Sequence, residues 1–154
     1  MVNCLIFGRK KYDKFINYRE SVESIIVELI EKYQTTRFFV QKDSDFGQEC
    51  LYILKKLKKE YTFEIFSCEQ VGNEDVDKTE CILSAIWNQD KRGKKLIDYA
   101  SRQRKLYLNI YDFFIKHDEK KSKTIRDWIE RQNLIGSAKC WLKILKNLYD
   151  NKMI

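Results

Sequence analysis

Apolar residues follow two rhythms along the 154 residues of the chain. Val2 to Phe7 is an apolar run with one interruption, closed by Gly8, as expected of a strand buried on both faces. Phe15, Tyr18, Val22, Ile25, Ile26, Leu29, Ile30 and Tyr33 then recur at spacings of three and four, the stripe of a long amphipathic helix. Phe38 to Val40 predicts a short second strand. Phe46, Cys50, Ile53, Leu54, Leu57 and Tyr61 mark a second helix, with Lys55, Lys56, Lys58 and Lys59 around its outer side. A third strand is expected over 62–66, followed by an acidic segment from Glu69 to Glu80 in which Gly72 and Asn73 suggest a turn. Cys81 to Trp87 (CILSAIW) reads as a buried strand, NQDKRG as a loop, 94–103 as a helix and Leu106 to Ile110 as the last strand.

Strand and helix therefore alternate as β-α-β-α-β, a gap, then β-α-β. That alternation argues for a parallel sheet covered on both faces, a three-layer α/β domain. Right-handed crossovers leave few arrangements for about five such strands, and the order 3-2-1-4-5 is the one expected. Beyond Tyr111 the pattern changes. A polar linker, KHDEKKSKT, leads to two short amphipathic stretches, one with Ile125, Trp128 and Ile129 and the other with Ala138, Trp141, Leu142, Leu145, Leu148 and Tyr149. Gly136 and Ser137 suit a helix start before the second. The expected organisation is a domain over 1–112 and a helical C-terminal extension over 113–154. The extension packs on the domain or on a partner, including a second copy of the chain.

Composition narrows the functional classes. Apolar residues make up 44% and charged residues 34%, and no apolar run approaches the roughly 18 residues that span a bilayer, so a cytoplasmic chain without membrane contact is expected. The apolar stretch in MVNCLIFGRKK is too short for a secretory signal and has its positive charge on the wrong side. Five cysteines, at 4, 50, 68, 81 and 140, form no CxxC pair and sit mostly in apolar runs, which suits reduced core thiols rather than a metal centre. His117, the only histidine, falls in the polar linker, so Ser44, Ser67 and the cysteines have no evident base. The acid pairs Asp43 with Asp45 and Glu69 with Glu74 carry no spacing signature. No catalytic residue, metal ligand or cofactor is expected.

Thirty basic against twenty-three acidic residues leave a charge of +7, which favours anionic partners. Between Lys91 and Lys105, seven cations (Lys91, Arg92, Lys94, Lys95, Arg102, Arg104 and Lys105) stand against Asp98 alone, a local +6. Together with Lys55, Lys56 and Lys59 of the second helix they are the candidate partner-binding surface, for which a solvated helix face is the alternative. Gly8, Arg9 and Lys10 follow the first strand, Gln41, Lys42 and Ser44 the second, and Gly93 the fourth. All seven are candidate ligand-binding residues, because open parallel sheets bind at the carboxyl ends of their strands.

Three segments, FGRKKY, FFVQKDSDFGQECLYILKKLKKEY and DKTECILSAIWNQDKRGKKLIDYASRQRKLYLNIYD, carry a family likeness. Over residues 2 to 112 the chain resembles the SLOG superfamily of Rossmann-like domains, particularly its small standalone bacterial members. The resemblance implies a nucleotide or nucleotide-derived ligand, held where the second strand ends in a glycine and a Phe-Asp pair opens the next helix. Here Gln41 stands at the glycine position and Gly47 follows Phe46 where the aspartate would be, while Gly93 is what remains of a later glycine-rich turn. A glycine lets backbone N–H groups approach a phosphate, whereas Gln41 adds bulk and Asp43 and Asp45 add negative charge. The expectation is therefore a non-catalytic interaction module on a degenerate SLOG-like scaffold, which engages a nucleic acid, nucleoprotein or protein partner through basic surfaces. Mobile-element proteins that interfere with host defence complexes would suit such a chain. The alternative is a sensor or sponge for a nucleotide-derived small ligand.

Overall fold

The computed structural model describes residues 2–10, 18–87 and 89–110. Five strands, β1 (Val2–Gly8), β2 (Thr35–Gln41), β3 (Glu64–Cys68), β4 (Cys81–Ala85) and β5 (Leu106–Asn109), form one sheet in the order β3-β2-β1-β4-β5. Every neighbouring pair is parallel, with Cys4 level with both Phe38 and Cys81, and Ile82 level with Tyr107. Four helices lie between them: α1 (Tyr18–Tyr33), α2 (Asp45–Leu57), α3 (Asn73–Asp77) and α4 (Lys91–Arg102). This is the Rossmann-like α/β arrangement expected from the alternation.

Successive residues of a strand face opposite ways, so the central strands must be apolar on both sides. Cys4 and Ile6 of β1, Phe38 and Val40 of β2, and Cys81 and Leu83 of β4 pack against Val22, Ile26 and Leu29 of α1 and against Phe46, Cys50, Ile53 and Leu54 of α2. Leu5, Phe7 and Ile82 face the other way, onto Val76 of α3 and Leu96 and Ala100 of α4. The unbroken run from Leu5 to Phe7 is thus buried on both faces. Cys4, Cys50 and Cys81 are buried free thiols, and burial pushes Cys4 and Cys50 well above the ordinary thiol range. No helix among the described residues is long and apolar enough to cross a membrane.

Several boundaries differ from the sequence reading: β2 runs from Thr35 to Gln41 rather than over Phe38 to Val40, and β4 ends at Ala85, two residues before Trp87. The third strand begins two residues later, at Glu64, because Phe63 packs edge-on against Phe38 (5.4 Å between centroids) before the chain enters the sheet. The acidic gap holds a helix, α3, whose start is fixed by the Asp75 carboxylate accepting from the Gly72 N–H at 2.9 Å and whose one buried residue is Val76. The fourth helix begins at Lys91, which places Lys91 and Arg92 in its first turn. The 113–154 extension, with Trp128, Trp141, His117 and Cys140, lies outside the described residues, as do Lys11 and Asn88.

Candidate functional site

Strand order reverses between β1 and β4, where the chain leaves toward β2 on one side and toward β5 on the other. Loops diverging at such a point open a crevice at the carboxyl edge of the sheet. A cavity of about 520 Å³ occupies that position. Gly8, Arg9 and Lys10 enter it from β1, Gln41 and Asp43 from β2, and Lys91, Arg92 and Gly93 from the start of α4, over an apolar floor of Phe7, Val71, Ile86 and Leu96. Five of the seven candidate ligand residues therefore share one cleft. Lys42 and Ser44 do not line it: Lys42 pairs with Glu69 at 3.4 Å, and Ser44 is buried.

Ser44 is buried because it closes the β2–α2 corner. Its hydroxyl accepts from the Gly47 N–H at 3.0 Å, capping α2, and donates to the Gln41 carbonyl at 3.3 Å. The corner is so tight that a Cβ on Gly47 would stand 1.7 Å from the Gln41 carbonyl oxygen. Gln48 donates to the Lys42 carbonyl, and the Lys42 N–H donates to the Cys68 carbonyl. Gly47, met in the sequence as a missing aspartate, is thus the residue that lets this turn close on itself.

Several donors at the ends of β1 and β2 that a phosphate would seek are engaged within the protein. The Gln41 side-chain oxygen accepts from the Gly8 N–H at 3.3 Å, the Arg9 N–H donates to the Ala85 carbonyl, and the Asp45 N–H donates to the Lys10 carbonyl. After β4, Asn109 clamps the chain with its amide, accepting from the Ile86 N–H at 3.0 Å and donating to the Ile86 carbonyl at 2.9 Å. The Asp90 carboxylate accepts from the Trp87 N–H at 2.7 Å and stands 3.7 Å from the Arg9 guanidinium. Asp90 therefore turns back onto its own loop and makes no side-chain cap on α4. Gly8 and Gly93 serve packing: a Cβ on Gly8 would meet Phe46 at 2.8 Å, and one on Gly93 would meet Ile86 at the same distance. Asn109 and Asp90 were not identified from the sequence, and only the position of Asp90 just ahead of a helix could have signalled it.

The basic candidates divide between the two faces. Lys55, Lys56 and Lys59 belong to α2 and the turn after it, in the α1/α2 layer, whereas Lys91, Arg92, Lys94, Lys95 and Arg102 belong to α4 on the opposite side of the sheet. Arg104 follows α4 with a φ of 59°, a left-handed conformation that glycine adopts more readily. Lys91, Lys95 and Arg102 lie at i, i+4 and i+11, one row along the solvent side of α4 with Lys94 beside it, while Leu96 and Ala100 face the sheet. None of Lys91, Lys94, Lys95, Arg102 and Arg104 makes an ion pair among the described residues. Arg92 donates to the Val71 carbonyl at 3.4 Å.

Comparison with protein-family models, with curated proteins and with solved structures returned no match to this chain.

Proposed function

We propose that the protein is a non-catalytic interaction module on a degenerate SLOG-like scaffold, and that the cationic side of α4 is its contact for the phosphates of a nucleic acid or nucleoprotein. One observation carries this reading: α4 holds Lys91, Lys94, Lys95 and Arg102 on its exposed side without an acid partner among the described residues. Lys10, at the cleft beside the start of α4, adds a further cation to the same region. The closed β2–α2 corner supports the assignment, since a turn whose donors are engaged by the Ser44 hydroxyl and the Lys10 and Cys68 carbonyls is poorly prepared for a phosphate. Interference with a nucleoprotein complex of a host is one role open to such a module.

Fluorescence anisotropy with labelled single-stranded and duplex oligonucleotides tests the assignment. Combined Lys91→Glu and Lys95→Glu substitution is expected to weaken binding at least about tenfold, because each removes a phosphate contact and adds a repulsive one. Combined Lys55→Glu and Lys59→Glu substitution on the other face is expected to change it by less than about twofold. Absence of binding at low salt, or equal loss in both variants, refutes the reading.

The cleft favours a second reading, a sensor or sponge for a nucleotide-derived ligand, because it gathers Gly8, Arg9, Lys10, Gln41 and Gly93 around an apolar floor. A saturable rise in melting temperature with a nucleotide, abolished by Arg9→Ala and kept in the Lys91→Glu and Lys95→Glu variant, would place that reading first.

A further inference from the structure

The two edges of the sheet are not equivalent. At β5 the residues Leu106, Leu108 and Asn109 are buried, whereas at β3 Glu64, Phe66 and Ser67 are exposed. Phe66 is 40% exposed and stacks on Phe39 of β2, with centroids 5.0 Å apart and ring planes within 17° of parallel. Edge strands are ordinarily guarded by lysine, proline, a bulge or a covering element, since their outer N–H and C=O groups can pair with another chain. β3 has no lysine, proline or register shift, and its one charge, Glu64, stands 3.8 Å from Arg37 of β2.

The backbone phase of this edge follows from one hydrogen bond. The Cys68 carbonyl accepts from the Lys42 N–H, so the backbone groups of Cys68 face inward, past β2. Alternation then turns those of Glu64 and Phe66 inward as well, and those of Ile65 and Ser67 outward. Two copies related by a twofold axis at Phe66 would set Ile65 opposite Ser67 of the other copy, and Ser67 opposite its Ile65. Both are outward-facing residues, so each pair can exchange two hydrogen bonds. Phe66 would meet its own counterpart in the closer, non-hydrogen-bonded pairing, where aromatic side chains on one face interact best. Glu64 would stand opposite Cys68 and Glu69 opposite Phe63, so this register sets no like charges against each other.

We propose that β3 is a homodimerisation edge, on which a second copy of this chain pairs antiparallel about Phe66 to make one continuous ten-stranded sheet. The occupant is a second copy because phase, aromatic position and charge are all self-complementary in that register, as an isologous contact requires. The Phe39 and Phe66 rings of both copies then form a single row that is shielded from water.

Sedimentation of the full chain over roughly 1 to 100 µM tests the proposal, since a dimer is governed by mass action. The expected result is a concentration-dependent species of twice the 18.7 kDa chain mass. Phe66→Lys is expected to raise its dissociation constant at least about tenfold with unchanged circular dichroism, because a central aromatic anchor is replaced by a charge. Ser67→Pro is the companion variant: it removes one outward N–H at an exposed edge position where proline is tolerated. Hydrogen exchange adds an independent readout, with the Ile65 and Ser67 amides protected only in the dimer and the Phe66 amide protected in both states. A wild-type protein that stays monomeric across the range, or a dimer held equally by both variants, overturns the proposal.

Discussion

The α1/α2 layer and the α4 layer cover opposite faces of one sheet, and both are rich in charge, yet they use it differently. Between α1 and α2, Arg19 pairs with Glu49 at 2.8 Å and lies 4.7 Å from the centre of the Tyr52 ring, and Lys56 donates to Glu23 at 3.0 Å. Tyr61, in the turn after α2, donates to Glu31 at 2.6 Å. Along α4 the cations stand in a row with Asp98 as the helix's single acid and no ion pair to it. Lys56, beside Glu23 of α1, is used inside the fold, whereas Lys55, Lys58 and Lys59 make no ion pair among the described residues. The α4 lysines make no ion pair among the described residues and remain available to a partner, and counting residues in a sequence does not separate the two cases.

The largest expected effect tests what holds the paired layer in place. Gly47→Ala puts a methyl group against the Gln41 carbonyl, at a Cβ distance of 1.7 Å, and so drives the start of α2 off the sheet. A loss of about 3 kcal/mol is expected, at the upper end of overpacking costs. Gly93→Ala on the α4 side meets only the Ile86 side chain, which can shift, and should cost about 1 kcal/mol. Urea denaturation of both variants measures the contrast, and equal losses would show that the two layers are seated alike. Ser44→Ala comes next: it removes the cap of α2 and is expected to cost about 1 kcal/mol in the same assay.

The smallest effect is a pH dependence drawn from one tyrosine on each side. A hydrogen bond to Glu31 raises Tyr61 above the ordinary tyrosine value, and a hydrogen bond to Asp77 raises Tyr99, with nearby Arg102 opposing the second shift. Both bonds need the protonated phenol. Their contribution is therefore complete below the unfolded tyrosine value of about 10 and is lost as pH rises through the higher folded values. Melting temperature measured between about pH 8 and pH 11 should fall at the alkaline end, and Tyr61→Phe should remove part of that fall. A wild-type profile matched by the variant would deny Tyr61 its share.

Much of the fold was legible because burial on both faces leaves an unmistakable trace. Leu5 to Phe7 and Cys81 to Leu83 are continuous apolar runs, and only central parallel strands bury such runs on both sides. α3 left no such trace, since a five-residue helix with only Val76 buried has no periodicity to detect. The start of α4 was masked by polar first-turn residues that resemble a loop. The position of Gly8, Arg9 and Gly93 at the carboxyl edge of the sheet was legible because the rule for strand ends depends only on topology. The internal engagement of the donors was not visible, because Asn109 reaches Ile86 across 23 positions and Gln41 reaches Gly8 across 33. Nor was the division of the lysines between two faces, which depends on the side of the sheet each crossover takes.

The dependence of nucleic-acid affinity on salt tests the central claim most directly, because the slope of log Kobs against log salt reports the number of phosphates neutralised, at roughly 0.7 to 0.9 per contact. The claim predicts that Lys91→Gln, Lys94→Gln and Lys95→Gln together flatten the wild-type slope by about two to three units, while Lys55→Gln and Lys59→Gln together leave it unchanged. A slope unaltered by the α4 substitutions, or flattened equally by those on α2, would contradict it.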